Sequence, residues 1–89
     1  MGDDRWRRDV RLPFQEIQGQ AVVVVPARRE LHEFDEIATF LWAELAKERT
    51  VAQLVAALCA EFEVEEGVAE ADVREYLRRL EERGLVLRA

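Results

Sequence analysis

Residues 28–45 read RRELHEFDEIATFLWAEL and join a short extended segment directly to a helix. Asp35 can accept a hydrogen bond from the first free backbone N–H groups of a helix that begins at Glu36. Apolar residues then recur at spacings of three and four, while Thr39 falls outside the face that they form. They are Ile37, Ala38, Phe40, Leu41, Trp42 and Leu45. We therefore predict that this helix is the main core element and that Trp42 anchors it.

The segment before this helix has the pattern of an antiparallel meander. Residues 11–17 predict a first strand, which Pro13 confines to a sheet edge because proline lacks a backbone donor. Gln18 and Gly19 suit a two-residue hairpin turn, since glycine adopts a positive φ readily. Residues 21–25 are small and β-branched without polar alternation, which is typical of a strand covered on both faces. This run is therefore the expected centre of the sheet.

A third strand completes the predicted sheet. Pro26 presets φ for the next turn, and residues 29–34 return as the second edge strand. Residues 1–9 show no periodic pattern, so we expect a flexible N-terminal arm. Residues 10–89 then form the single folded domain.

Two more helices follow. Thr50 and Gln53 have the spacing of a capping box, which begins the second helix. The third helix is predicted over residues 68–83, and Gly84 stops it just beyond the last turn. Residues 85–87 close the chain either as a short strand or as an apolar tail. The fold class is thus α+β: a three-stranded antiparallel sheet followed by three helices, in the order of a winged helix-turn-helix whose wing comes first.

Composition excludes several classes of function. The 89-residue chain has one cysteine, Cys59, and one histidine, His32, too few for a disulfide or a zinc site. Neither residue has the neighbours that a nucleophile or a general base needs, so we expect no catalytic residues, no metal and no cofactor. The longest apolar run, residues 21–25, is too short to cross a bilayer. With no secretory signal at the start, a cytoplasmic location is expected.

Charge is distributed unevenly along the chain, whose net charge is −6. Residues 30–66 hold ten acidic side chains against two basic ones, whereas the remainder holds nine acidic and eleven basic side chains. A nucleic-acid backbone would be repelled by the acidic half. The third helix over residues 68–83 carries four arginines but five acids. These charges argue against nucleic-acid binding but leave room for a smaller acidic partner.

The second edge strand, residues 29–34, is the feature with the clearest potential for binding. It contains no proline, so it can offer a continuous row of N–H and C=O groups to an added strand. The strand also carries the charged residues Arg29, Glu30 and Glu33. Because charges on an edge discourage pairing, they support the opposite interpretation, an edge that is protected from an added strand. The same two interpretations hold for Arg74, Arg78 and Arg79 on the third helix, as a binding surface or as a solvated face. The sequence leaves both pairs of alternatives open.

Several stretches together resemble a known family. They are residues 21–25, residues 31–42 with Trp42, the helix start Arg49-Thr50-Val51, the helix start Ala71-Asp72-Val73 and the closing Arg83-Gly84-Leu85. This series resembles the PqqD family, the small chaperone-like proteins of pyrroloquinoline quinone biosynthesis and their relatives, known more widely as RiPP recognition elements. The resemblance covers residues 10–87. Two departures from the family pattern are the Pro26-Ala27 turn, where a glycine is usual, and Asp35, where asparagine is usual.

The resemblance implies a binding mode and a partner. In this family the leader of a ribosomally made precursor peptide adds as a strand beside the third strand, in the groove between that strand and the third helix. Carried over to this chain, the peptide-binding residues are Arg28, Arg29, Glu30, Leu31, His32, Glu33, Phe34, Val73, Arg74, Tyr76, Leu77 and Leu80. The modifying enzyme that receives the peptide is often a radical-SAM protein. The expected function is therefore a non-catalytic peptide-binding adaptor.

Two further expectations concern the partner and the alternatives. If Arg28, Arg29, Arg74 and Arg78 flank the groove, an acidic or amphipathic leader is preferred. The alternative function is a winged-helix nucleic-acid-binding regulator. The sequence also leaves a homodimer possible.

Overall fold

Six short strands and three helices make up the part of the chain that the computed structural model describes, residues 4–89. In chain order they are β1 (Arg5–Arg8), β2 (Phe14–Ile17), β3 (Gln20–Val25), β4 (Glu30–Glu33), α1 (Glu36–Glu44), β5 (Arg49–Thr50), α2 (Val51–Glu61), α3 (Glu66–Glu82) and β6 (Val86–Arg88). The α+β class and the three helices are as predicted. No described helix is long and apolar enough to cross a bilayer.

The predicted meander is present as the sheet β2-β3-β4, with β3 in the centre and both ladders antiparallel. Gln18 and Gly19 both have positive φ values, 55° and 80°, as a hairpin turn that follows the strand twist requires. The first strand is shorter than predicted and begins at Phe14. Ahead of it the chain turns, because the Asp9 carboxylate accepts hydrogen bonds from the backbone and the side chain of Arg11.

The turn into β4 has an unusual backbone. Residues Pro26–Arg28 form a single 3₁₀ turn, and Arg29 follows with φ 54° and ψ 40° in the left-handed region. Its N–H donates to the Pro26 carbonyl at 3.1 Å. A side chain in this conformation is strained, whereas glycine adopts it freely. Strand β4 therefore begins at Glu30, one residue later than predicted.

A second sheet, β5-β1-β6, was not predicted. The expectation of a flexible arm over residues 1–9 is wrong for Arg5–Arg8, which pair with β5 on one side and β6 on the other. Trp6 is the buried residue of this strand, and the Arg88 guanidinium stacks on its ring at 4.4 Å. Residues 1–3 lie outside the described residues. The folded unit therefore starts before residue 10, and the chain's last residues close it as a strand.

The helix ends follow the predicted capping residues. Asp35 accepts a hydrogen bond from the Ala38 N–H at 2.8 Å, and Thr50 and Gln53 form both bonds of a capping box. Gly84 has φ 73°, and its N–H donates to the Glu81 carbonyl while the next N–H donates to the Leu80 carbonyl. This pair of bonds is a Schellman ending. Helix α3 begins at Glu66, two residues before the predicted start.

Trp42 is the centre of the core, as predicted, with 1% of its surface exposed. Its ring meets Phe34 at 5.4 Å and Phe14 at 5.9 Å between centroids, both edge to face. Two residues of α1 were assigned to the wrong side. Ile37 is 40% exposed, whereas Thr39 is buried and its hydroxyl accepts the Ala21 N–H at 2.8 Å. The helix is rotated toward Thr39 because this hydroxyl supplies the partner for a buried backbone donor of β3.

We expect Trp42→Ala to lower the free energy of unfolding by about 3 to 5 kcal/mol, since it opens a large cavity between the sheet and α1. Ile37→Ala on the same helix is the control and should cost clearly less, because 40% of the Ile37 surface is already exposed. Urea unfolding of both variants checks this. Equal losses of stability would show that the core is not centred on Trp42.

Candidate functional site

Within residues 4–89, strand β4 has a neighbouring strand on one side only, so half of its backbone groups face away from the sheet. Phe34 donates its N–H to the Ala21 carbonyl at 2.9 Å, and β4 pairs with β3 in the register His32 to Val23. Since backbone groups alternate in direction along an antiparallel strand, His32 and Glu30 face β3. The N–H and C=O groups of Leu31 and Glu33 therefore point out of the open edge.

The side chains of β4 alternate between the two faces of the sheet. Leu31 lies on the outer face and is 59% exposed. His32 lies on the inner face opposite Val23, and its Nε2 is 3.3 Å from the Glu30 Oε1. Of the two residues that present backbone groups at the edge, only Glu33 is charged. Only Glu33 could therefore discourage strand pairing by its charge. The geometry favours the other interpretation, an edge that can accept a strand.

A groove of about 360 Å³ runs beside this edge, between β4 and α3. Its lining combines apolar side chains in the middle with charged side chains at the ends. The lining residues are Leu31, His32, Glu33, Phe34, Asp35, Ala38, Tyr76, Arg79, Leu80 and Arg83. The groove has the form that suits an extended peptide: a free strand edge on one wall and the side chains of a helix on the other.

Tyr76 connects the two walls of the groove. Its hydroxyl donates to the Ala38 carbonyl of α1 at 3.0 Å, and its ring meets Phe34 edge to face at 6.1 Å. Burial raises the pKa of Tyr76 well above its usual range, and the nearby charge of Asp35 raises it further. The neutral phenol is therefore part of the native packing at the site.

The two ends of the groove carry opposite charge. Arg79 and Arg83 line it near the end of α3, and the Arg28 guanidinium reaches the same end, 3.8 Å from the position of a Cβ on Gly84. Asp35 lies at the other end, next to Tyr76. Arg79 is partly neutralised by Glu75 at 3.2 Å. The groove consequently has a basic end and an acidic end.

The structure brings together half of the twelve residues that the sequence assigned to the site. Leu31, His32, Glu33, Phe34, Tyr76 and Leu80 line the groove, and Arg28 lies at its basic end. Arg29 lies in the left-handed turn before β4, and Glu30 points inward beside His32. Val73 and Leu77 are 0% and 1% exposed and belong to the core. Arg74 lies on the opposite side of α3.

Three lining residues were missed, Asp35, Ala38 and Arg83, while Arg79 had been left open between a binding surface and a solvated face. Asp35 had been identified only as a helix cap, although a cap at the end of an edge strand necessarily lies near that edge. The helical period could have identified Arg83. Leu80 follows Tyr76 by four residues and Arg83 follows Leu80 by three, which places all three on one face of the helix.

A larger cavity, about 570 Å³, lies on the other side of α3, against α2, β1 and β6. Its apolar wall includes Val55 and Cys59 of α2. Arg74 and Arg78 line its opposite wall and are bound within α3, Arg74 to Glu70 and Arg78 to two glutamates. Such pairs at spacings of three and four are typical of a solvated helix face. For these two arginines the structure therefore supports the solvated-face interpretation.

Comparison with known proteins places the fold in a family. The sequence profile of Coenzyme PQQ synthesis protein D (PqqD) matches residues 20–86. The chain is thus a small α+β domain with a β-meander before a helical bundle. It belongs to the PqqD family. No curated protein matches the sequence.

Three solved structures have a similar fold. "TbiB1 in Complex with the TbiA(beta) Leader Peptide" superimposes with a TM-score of 0.81 at 22% identity, covering 90% of this chain and 93% of that one. A lasso peptide synthetase B1 complexed with the leader peptide gives 0.80 at 22% identity, covering 92% and 96%. The PqqD part of Methylobacterium extorquens PqqCD, a stand-alone RiPP recognition element, gives 0.71 at 21% identity, covering 93% and 88%. At these identities the likeness establishes the fold.

Tyr76 is the only tyrosine in the chain, so its ionisation can be followed alone by phenolate absorbance. In the unfolded chain we expect a pKa near 10, whereas the raised pKa in the folded protein should keep the phenol neutral above that pH. Because the unfolded state then loses a proton that the folded state keeps, stability should fall as pH rises above about 10.

Tyr76→Phe is the control, since it removes the titrating group and one hydrogen bond worth about 1 kcal/mol. Its free energy of unfolding should depend less on pH in the same alkaline range. A native-state phenolate signal that rises near the ordinary tyrosine pKa would contradict the buried position of Tyr76.

Proposed function

We propose that this protein is a non-catalytic adaptor that binds the leader of a ribosomally synthesised precursor peptide and presents it to a modifying enzyme. The peptide adds as a strand beside β4 and lies in the groove between β4 and α3. The observation that carries the proposal is the open edge, where the backbone groups of Leu31 and Glu33 face the groove. The adaptor acts in the cytoplasm, and radical-SAM enzymes are the class of partner that its family suggests.

The contacts available predict a modest affinity. Leu31 and Glu33 each offer one N–H and one C=O, so a peptide strand can form four backbone hydrogen bonds, each worth ~1 kcal/mol. Two apolar side chains against Phe34, Tyr76 or Leu80 add roughly 1.5 to 3 kcal/mol each. Association and ordering of the peptide cost at least ~4 kcal/mol. At most about 6 kcal/mol remains, so binding in the tens of micromolar is about the tightest that these contacts support.

The chemistry of the groove supports a binding role. Its lining contains no serine, threonine or cysteine, and the one imidazole, that of His32, has the Glu30 carboxylate as its neighbour. Within residues 4–89 no group of three metal-ligating side chains comes together. Two of the proteins with this fold are described as complexes with a leader peptide. Peptide recognition accounts for the groove without requiring a reacting group.

The two alternatives receive less support. Arg74, Arg78 and Arg79 of α3 each have a glutamate partner on the same helix, so the helix has little free positive charge for a phosphate backbone. A homodimer that paired two β4 strands would occupy the groove of both copies. Any dimer contact that is compatible with the adaptor role must therefore use another surface.

Strand addition predicts opposite effects for proline at neighbouring positions of β4. Leu31→Pro removes only an outward N–H and should leave the free energy of unfolding nearly unchanged, yet weaken peptide binding by about fivefold or more. His32→Pro removes an N–H that faces β3 and should destabilise the fold by about 1 to 3 kcal/mol. Leu31→Ala is the control for the lost side chain and should retain most of the affinity.

The probe is a peptide selected from a displayed random library on the native chain, and its affinity is measured by fluorescence anisotropy. Urea unfolding confirms that each variant is folded. If folded Leu31→Pro bound the selected peptide as tightly as the parent does, strand addition at β4 would be excluded. Failure to select any peptide that competes for the β4 edge would contradict the proposed function itself.

A further inference from the structure

The charges along the groove determine which peptide fits beside β4. We propose that the basic end of the groove, formed by Arg28 and Arg83 with Arg79 beside them, binds a carboxylate of the peptide. The acidic residue lies two positions to the C-terminal side of the apolar residue that packs against Leu80. This inference rests on the proposed function and adds a sequence requirement to it.

The direction of the groove follows from how β4 and α3 pack. Arg28, just before β4, lies beside Gly84 at the end of α3, whereas Phe34, just after β4, packs against Tyr76 in the middle of α3. The strand and the helix therefore run in opposite directions, and the basic end of the groove is at the start of β4. Both existing ladders of this sheet are antiparallel, the slightly more stable arrangement per residue. A peptide added in the same way has its C-terminal part at the basic end.

The guanidinium groups at this end are only partly compensated. Among residues 4–89, the salt bridges within 4.0 Å include Arg79 with Glu75 but none of Arg28 or Arg83. The Glu30 carboxylate on β4 is turned inward to His32, with 3.3 Å between its Oε1 and the His32 Nε2.

The acidic residues and carbonyls at the end of α3 are already engaged. Glu81 binds Arg88 and Glu82 binds Arg78, while the Leu80 and Glu81 carbonyls accept the bonds of the Schellman ending. Glu75 compensates Arg79, whereas the Arg28 and Arg83 guanidinium groups have no salt bridge among the described residues, which leaves a net positive charge at this end of the groove.

The spacing follows from the geometries of the two elements. Leu80 and Arg83 are three residues apart on α3, a rise of about 4.5 Å along the helix. Side chains on one face of an extended peptide repeat every two residues, at roughly 6.7 Å, and the long arginine side chain spans the difference. A peptide side chain that faces Arg83 is thus the second residue after the one that faces Leu80. The intervening residue points to the outer face of the sheet beside Leu31.

The test is a selection of random displayed peptides at low salt on three proteins: the native chain, Arg28→Glu with Arg83→Glu, and Arg7→Glu with Lys47→Glu. The last pair is a matched control, because it changes the net charge equally at two exposed positions away from the groove. We expect the native chain and the control to select Asp or Glu two residues after an apolar residue. The groove variant should select Lys or Arg at that position.

Affinities of one selected acidic peptide complete the test. Charge reversal at Arg28 and Arg83 should weaken binding about three- to tenfold at low salt, and the difference should shrink as salt screens the exposed charges. Selected peptides that fail to bind Leu31→Pro depend on the β4 edge. If such peptides show no charge preference, this inference is overturned and the proposed function remains intact. An unchanged preference in the groove variant would overturn it as well. If the selected peptides bind Leu31→Pro normally, the proposed function fails together with it.

Discussion

Phe34 packs edge-on against both Trp42 and Tyr76, and the position of β4 relative to α3 depends on these two contacts. Trp42 holds the inner face of the sheet against α1, while Tyr76 binds the Ala38 carbonyl of the same helix. The groove therefore has fixed walls before any peptide arrives. A preformed site loses less free energy on binding than one that must be ordered first, which matters where four backbone hydrogen bonds supply much of the affinity.

Helix α3 divides its charges between two different surfaces. Arg74 and Arg78 face the larger cavity and are held by glutamates of the same helix, whereas Arg83 faces the groove. The rotation of α3 about its axis, rather than its composition, thus decides which arginine side chain faces the groove. The same consideration explains how a chain with a net charge of −6 can still present a basic end to a ligand. Local placement outweighs net charge for a small partner because exposed charges are screened over about 10 Å.

Local features of the structure could be predicted from the sequence, and distant contacts could not. The caps at Asp35, Thr50 and Gly84 and the hairpin at Gly19 depend only on neighbouring residues, so the residue types at these positions identified them correctly. Strand β1 pairs with residues more than 40 positions away. It has only one buried side chain, that of Trp6, which cannot by itself form the alternating apolar pattern that predicts a strand. The sequence also could not show which side of α3 faces the groove. Arg74 and Arg83 both flank the apolar stripe of the helix, and only the packing of α3 on the rest of the fold distinguishes them. Family resemblance assigned the expected site to the third strand and the third helix, but it could not supply the rotation of α3.

Backbone amide hydrogen exchange at β4 tests the central claim most directly. In the free protein the N–H groups of Leu31 and Glu33 face solvent and should exchange quickly, while the His32 N–H is already bonded within the sheet and should be protected. Saturation with a selected peptide should slow exchange at Leu31 and Glu33 and change His32 little. If protection instead appeared at Ala52 and Ala56 beside the larger cavity, with Leu31 and Glu33 still exchanging freely, the peptide would bind there and the account of the β4 edge would be contradicted.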